Sequence, residues 1–176
     1  MRSSPAHKNK YRGMPMSDQD TASPTNETST EVHHGILLVD DNEQNLELLH
    51  AYLDDLEGPI RLARNGIEAL ESIDKEAPDI VLLDIMMPQM SGYQVCEKLK
   101  KNPDTRDIPI IMVTALNEVG DVERAVDAGA DDFLTKPVNR LELITRVKSL
   151  LRVRQLKRDL DSAVSEVRAL RDQPGE

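Results

Sequence analysis

Three uninterrupted apolar tetrads punctuate the chain: Ile36-Leu37-Leu38-Val39, Ile80-Val81-Leu82-Leu83 and Ile110-Ile111-Met112-Val113. Each is rich in β-branched residues and each stops at a polar one. A run that does not alternate has no side to give to water, so the three read as central strands covered on both faces. Two further candidates, Ile60–Arg64 and Asp132–Thr135, mix charged with apolar positions and suit the less covered edges of a sheet. Between the strands the period changes. Leu46, Leu49, Leu53 and Leu56 recur at 3-4-3 spacing. Ala69, Leu70 and Ile73 mark a second amphipathic face, Val95 and Leu99 after Gly92 a third, Val122, Ala125 and Val126 a fourth, and Leu143, Ile144, Val147, Leu150 and Leu151 a fifth. Strands and helices therefore alternate five times.

Strict alternation predicts an α/β fold with a parallel sheet, right-handed crossovers and helices on both faces. Ligands of such sheets bind outside the carboxyl ends of the strands. The polar residues there are Asp40 and Asp41 after the first strand, Asp84 after the third, Thr114 after the fourth and Lys136 after the fifth. Taken singly, each has a plain reading as a helix cap, a turn former or a strand terminator. Gathered on one rim, three carboxylates repel one another by about 1 kcal/mol per pair at ~4 Å even in water, and a positive charge must offset this. Hard oxygen donors with room for water suit Mg²⁺, and Lys136 brings a fixed ammonium. A carboxylate nucleophile, a divalent metal, an ammonium and the Thr114 hydroxyl make up the equipment for phosphoryl transfer onto an aspartate.

Composition sets limits around this core. The chain has 176 residues, a formal charge of −10 and 39% hydrophobic residues, so part of it is expected to lie outside any packed domain. Residues 1–34 balance four basic against four acidic groups and are rich in Ser, Thr and Pro. They cannot offset their own ordering entropy, and a disordered N-terminal segment is expected, with Met14 or Met16 as alternative starts. Residues 35–139 carry −13 and 140–171 carry +5. No apolar run reaches the roughly 18 residues that span a bilayer, and the first residues have no signal-peptide core, so a soluble, cytoplasmic protein without membrane contact is expected. Cys96 is the sole cysteine, which excludes an intramolecular disulfide, and the histidines lack zinc-ligand spacing. Four aromatics (Tyr11, Tyr52, Tyr93, Phe133) are too few for a base-stacking surface. No reading module accompanies the basic stretch, so nucleic acid is not an expected partner.

The segments LLVDDN (37–42), VLLDIMMPQMSG (81–92), MVTAL (112–116) and GADDFLTKP (129–137) resemble, in order and spacing, the motifs of the receiver domains of bacterial two-component response regulators. The resemblance covers about residues 35–152. It implies a (βα)5 flavodoxin-like, doubly wound sheet in the order 2-1-3-4-5. It also implies that Asp84 accepts a phosphoryl group from a sensor histidine kinase or a phosphotransfer protein. Asp41, Asp84 and the backbone carbonyl of Met86 would bind Mg²⁺ directly, and Asp40 largely through a metal-bound water. Thr114, the Ala115 N–H and Lys136 would contact the phosphoryl oxygens, and the bond before Pro137 would be cis. Phe133 falls at the family's switch aromatic, with Thr114 as its hydroxyl partner. Asp132, Glu142 and Arg146 match residues that pair across a dimer face of the fourth helix, fifth strand and fifth helix, whereas Val122 departs from that pattern. Apolar Met86 and Leu116 stand where members tune hydrolysis, and slow dephosphorylation is expected.

Asn117–Asp121 is a weak helix start, as a mobile switching element would be. Beyond residue 152, Val153, Leu156, Leu160, Ala163, Val167 and Leu170 follow 3-4-3-4-3 spacing, an a/d stripe flanked by Glu166 and Arg171 at g and e positions. This helical extension and tail, 153–176, resembles the signalling helix that joins receivers to output domains, and a downstream protein is expected as the output. A switch rather than an enzyme is expected. The alternative is a Mg²⁺-dependent phosphatase working through an aspartyl-phosphate; it needs an acid two residues after its nucleophile, where this chain has Met86.

Overall fold

The structure, a computed structural model, describes residues 35–115 and 119–171, without the side chains of Val119, Asp121 and Val122. The expected disorder of 1–34, Leu116, the Asn117-Glu118 helix start, the Val122 side chain and the tail from 172 lie outside the described residues. The elements run β1 (Ile36–Val39), α1 (Glu43–Leu53), β2 (Ile60–Ala63), α2 (Gly66–Lys75), β3 (Ile80–Asp84), α3 (Gly92–Lys101), β4 (Ile110–Thr114), α4 (Val119–Asp127), β5 (Asp132–Thr135) and α5 (Arg140–Arg171). All strand pairs are parallel, and the order is β2-β1-β3-β4-β5. This is the parallel α/β sheet that the alternation predicts, in the doubly wound, flavodoxin-like order that the resemblance implies.

The two-residue period of a strand explains the tetrads. Leu37, Val39, Val81, Leu83, Ile110 and Met112 point to one side, where they meet Ala69 and Ile73 of α2, Val95 and Leu99 of α3 and Ala125 of α4. Their neighbours Ile36, Leu38, Ile80, Leu82, Ile111 and Val113 point to the other, against Leu46, Leu49 and Leu53 of α1 and Leu143, Val147 and Leu151 of α5. Both sides must be apolar, hence no alternation in the sequence. Each such side chain contributes about 1.5–3 kcal/mol on burial, and truncating one, as in Leu82→Ala, costs roughly 2–5 kcal/mol. The edge strands β2 and β5 are half covered, as their mixed composition requires.

Three details differ from the sequence reading. The strands β3 and β4 each run one residue past the apolar tetrad, to Asp84 and Thr114. Helix α1 stops at Leu53, and Leu56 packs from a turn in which its N–H donates to the Leu53 carbonyl, before Gly58 at φ 135° and Pro59 reverse the chain. Among the described side chains of α4 the buried one is Ala125, followed just after the helix by Ala128, while Val126 faces solvent. Residues three apart share a helix face, and the next residue lies about 100° round it.

Helix α5 is continuous across the expected domain limit at 152. Its 32 residues give roughly 48 Å of helix. Beyond 152 it still touches the amino-terminal edge of the sheet. Arg154 donates to Asp79 (3.3 Å), to the Pro78 carbonyl (3.2 Å) and to the Asp107 carbonyl (2.7 Å). Arg158 also pairs with Asp79, and Lys157 with Asp107. Among the described residues no helix is long and apolar enough to cross a membrane.

Candidate functional site

The carboxyl ends of β1, β3, β4 and β5 bring the expected side chains together. Asp40 follows β1 and Asp84 ends β3, neighbours in the sheet. Their side chains are 1% and 4% exposed, and together with solvent-exposed Asp41 they place one carboxylate oxygen each within 4.8 Å of one another. The Lys136 Nζ, one residue beyond β5, donates to Oδ2 of Asp40 (2.8 Å) and to Oδ1 of Asp84 (2.7 Å). Its backbone N–H donates to the Thr114 carbonyl (2.7 Å), which ties the lysine to the end of β4. The Lys136–Pro137 bond is cis.

Helix capping does not account for these acids. The N-cap of α1 is Asn42, whose side chain accepts from the Gln44 N–H at 2.9 Å. Asp40 instead faces its own cluster: its Oδ1 accepts the Asn42 N–H (2.9 Å), and the Asn45 amide reaches both its oxygens (3.1 and 3.0 Å). Asn45 did not emerge from the sequence reading. The available signal is its place four residues before Leu49, on the edge of the buried face of α1, where an amide needs a partner. Gly92 was legible only as a helix start. A Cβ there would lie 2.3 Å from the Asp84 carbonyl oxygen, so only glycine lets α3 begin directly against the end of β3.

Burial raises the Asp84 carboxyl above the usual carboxylate range; the hydrogen bond and charge of Lys136 oppose this, and Asp40 and Asp41 add to it. For Lys136 burial pulls the other way, but its hydrogen bonds to Asp40 and Asp84 prevail and hold the ammonium above its ordinary value. The lysine is therefore a fixed cation. One ammonium against three carboxylates leaves negative charge uncompensated, and an all-oxygen donor set suits a hard divalent ion such as Mg²⁺.

Thr114 is buried at the end of β4, and Ala115 beside it is exposed. Met86 lies in the loop after β3 with its side chain 62% exposed. Phe133 pairs in register with Met112, and Thr135 with Thr114, so the ring lies on the same sheet face as Thr114 and diagonal to it. The ring is 37% exposed. Asp132, Glu142 and Arg146 join within one chain: the Arg146 guanidinium donates to both Asp132 oxygens at 2.7 Å and to Glu142 at 2.8 Å.

The family model for the response regulator receiver domain matches residues 36–148. The chain is 47% identical over 117 residues to the response regulator PleD of Caulobacter vibrioides, a match covering 66% of this chain and 26% of that one. To the response regulator MprA of Mycobacterium ulcerans it is 41% identical over 124 residues, covering 70% and 53%. It thus spans about a quarter to a half of the length of these curated relatives. Among solved structures, the signal receiver domain of a signal transduction histidine kinase from Syntrophus aciditrophicus superposes with a TM-score of 0.64 at 40% identity, over 67% of this chain and 89% of that one. The chain belongs to the response regulator receiver domain family.

Proposed function

We propose that Asp84 is the phosphoacceptor of a cytoplasmic phosphorelay, charged by a sensor histidine kinase or phosphotransfer protein in a Mg²⁺-dependent reaction. The observation that carries this reading is the nearly buried Asp84 carboxylate, flanked by two acids and held at 2.7 Å by Lys136. Lys136 engages Oδ1, so the second oxygen is assigned the attack on phosphorus. A P–O bond forms to that oxygen as the P–N bond of the donor phosphohistidine breaks, and the bonding pair leaves on the imidazole nitrogen. Lys136 then shifts part of its hydrogen bonding to the phosphoryl oxygens, with the Thr114 hydroxyl and the Ala115 N–H as further donors. Asp40, Asp41, Asp84 and the Met86 carbonyl would hold Mg²⁺, which when bound neutralises the carboxylates and polarises the phosphoryl oxygens. Asn45 keeps Asp40 in place.

A cleft of about 440 Å³ lies beside Lys136 between α1 and the segment that joins β5 to α5, lined by Asn45, Leu48, Leu49, Tyr52, Pro137 and Val138. Its apolar wall next to the rim suits the docking of the donor domain. The shift of Lys136 hydrogen bonding from Asp84 toward the phosphoryl group would be read through Thr114 and Phe133 as a change of surface for a downstream protein. Asp132, Glu142 and Arg146 flank that surface and are assigned to a homodimer face. The phosphatase reading lacks support, since Met86 offers no proton to a leaving group. The reading is tested with acetyl phosphate and Mg²⁺ on a phosphate-affinity gel: a shifted band is expected, and it is lost with a chelator and in Asp84→Asn. Sustained release of phosphate from a small ester, lost in Asp84→Asn, would replace the switch with the hydrolase.

A further inference from the structure

Residues 153–171 complete α5 with about 28 Å of helix. Among the described residues their apolar stripe finds no cover: Val153, Leu156, Leu160, Val167 and Leu170 are between 58 and 65% exposed. In heptad terms Val153, Leu160 and Val167 are a positions, and Leu156, Ala163 and Leu170 are d positions. The contacts to the body of the protein lie off this stripe, two of them on the outer b and f positions and one at the flanking e position. Arg154 at b and Arg158 at f hold Asp79, and Lys157 at e pairs with Asp107. The ionic clasp thus fixes the rotation of the helix so that the a/d stripe faces away from the receiver.

We propose that this stripe is the seam of a parallel, two-stranded coiled coil with a second copy of this chain, a surface that goes beyond phosphoryl acceptance and does not depend on it. Valine at two of three a positions with leucine at two of three d positions is the pattern that favours parallel pairs. In that pairing Glu166 at g meets Arg171 of the partner subunit at e. Full-overlap antiparallel pairing would instead set Asp159 against Glu166 of the partner subunit, two acids. The one like-charged contact of the parallel form, Arg152 with Lys157 of the partner subunit, is relieved because each Lys157 is engaged by Asp107 of its own chain. Each receiver, attached through b and f, sits on the outer side of the coil. The seam is short, so the pair is expected to be weak and to dissociate on dilution.

Sedimentation of the full chain over a concentration series is expected to show a twofold rise in mass, both for the wild type and for Asp84→Asn. Leu160→Lys is expected to remain monomeric, while an unchanged urea midpoint shows that its receiver is folded. Because Cys96 is buried, an added thiol reports alone. Oxidised Val167→Cys is expected to run as a linked dimer, and Ser165→Cys, on the outer f position, as a monomer. A monomer at every concentration, a dimer that survives Leu160→Lys, or equal cross-linking at 165 and 167 would overturn the proposal. A dimer that Val167→Cys fails to link would also overturn it, as a non-parallel pair.

Discussion

The Lys136 ammonium donates to Asp84 across 2.7 Å, joining the ends of β5 and β3, which are not neighbours in the sheet. The strand between them, β4, takes part through the bond from the Lys136 N–H to the Thr114 carbonyl. With its bond to Asp40 after β1, this one residue joins four strand ends, and any group added to Asp84 must displace or share its ammonium.

Replacing that cation separates its two effects. Lys136→Met is expected to slow phosphorylation of Asp84 on the order of 10²-fold, the usual loss when one donor to a developing oxyanion is removed. The same change takes a positive charge from beside the carboxylates, so Mg²⁺ should bind more tightly, by roughly fivefold or about 1 kcal/mol. Calorimetric titration with Mg²⁺ alongside the rate with acetyl phosphate checks both signs.

Asn45→Ala removes an amide that reaches both oxygens of a buried carboxylate. Hydrogen bonds to charged groups contribute about 1.5–3 kcal/mol, and a loss of about 1–2 kcal/mol in urea unfolding is expected once water has replaced part of the contact. Asn45→Asp should cost more, because it puts a fourth acid beside the other three.

Two buried aspartates respond to pH with opposite sign. At Asp79 burial raises the carboxyl, but the Gly35 N–H, Arg158 and Arg154 outweigh it and the net shift is downward. Its stabilisation is complete above the unfolded value of about 4 and is lost as pH falls through the lower folded value. Asp79→Asn should therefore weaken the fold by about 1–2 kcal/mol at neutral pH and by nothing in strong acid. Asp84 is raised, chiefly by burial, so its ionisation costs stability as pH rises through the folded value. Asp84→Asn should be the more stable form at neutral pH without metal, and this gain should vanish below about pH 4. Mg²⁺ at a hundredfold excess over Kd returns about 2.7 kcal/mol to the wild type. Urea midpoints across pH, with and without Mg²⁺, test all three statements.

The lone thiol is expected to be inert. Burial pushes Cys96 up to about 12, and its Sγ contacts the Ala128 carbonyl at 3.3 Å. A disulfide reagent at mildly alkaline pH should label it only as fast as the chain unfolds, with full reaction in urea.

How much of this was legible in the sequence follows from what burial does to a pattern. The central strands showed because cover on both faces leaves no polar position, and Asp40, Asp41, Asp84 and Lys136 showed because polar residues at the carboxyl ends of such strands converge. Phase on short helices was harder: Ala125 and Val126 are adjacent and both apolar, and only the packed helix decides that Val126 faces water. Asn45 was missed since a single amide on a helix looks the same solvated or buried. The clasp of Asp79 with Arg154 and Arg158 was missed because nothing local links residues 75 or more positions apart.

The most direct measurement is the intact mass of the full chain after incubation with Mg²⁺ and a phosphohistidine donor, followed by peptide mapping. The gain of one phosphoryl group on the peptide carrying Asp84, absent with chelator, is the expected result. An unchanged mass with a donor that charges another receiver in the same assay, or a phosphoryl group mapped elsewhere, would contradict the account.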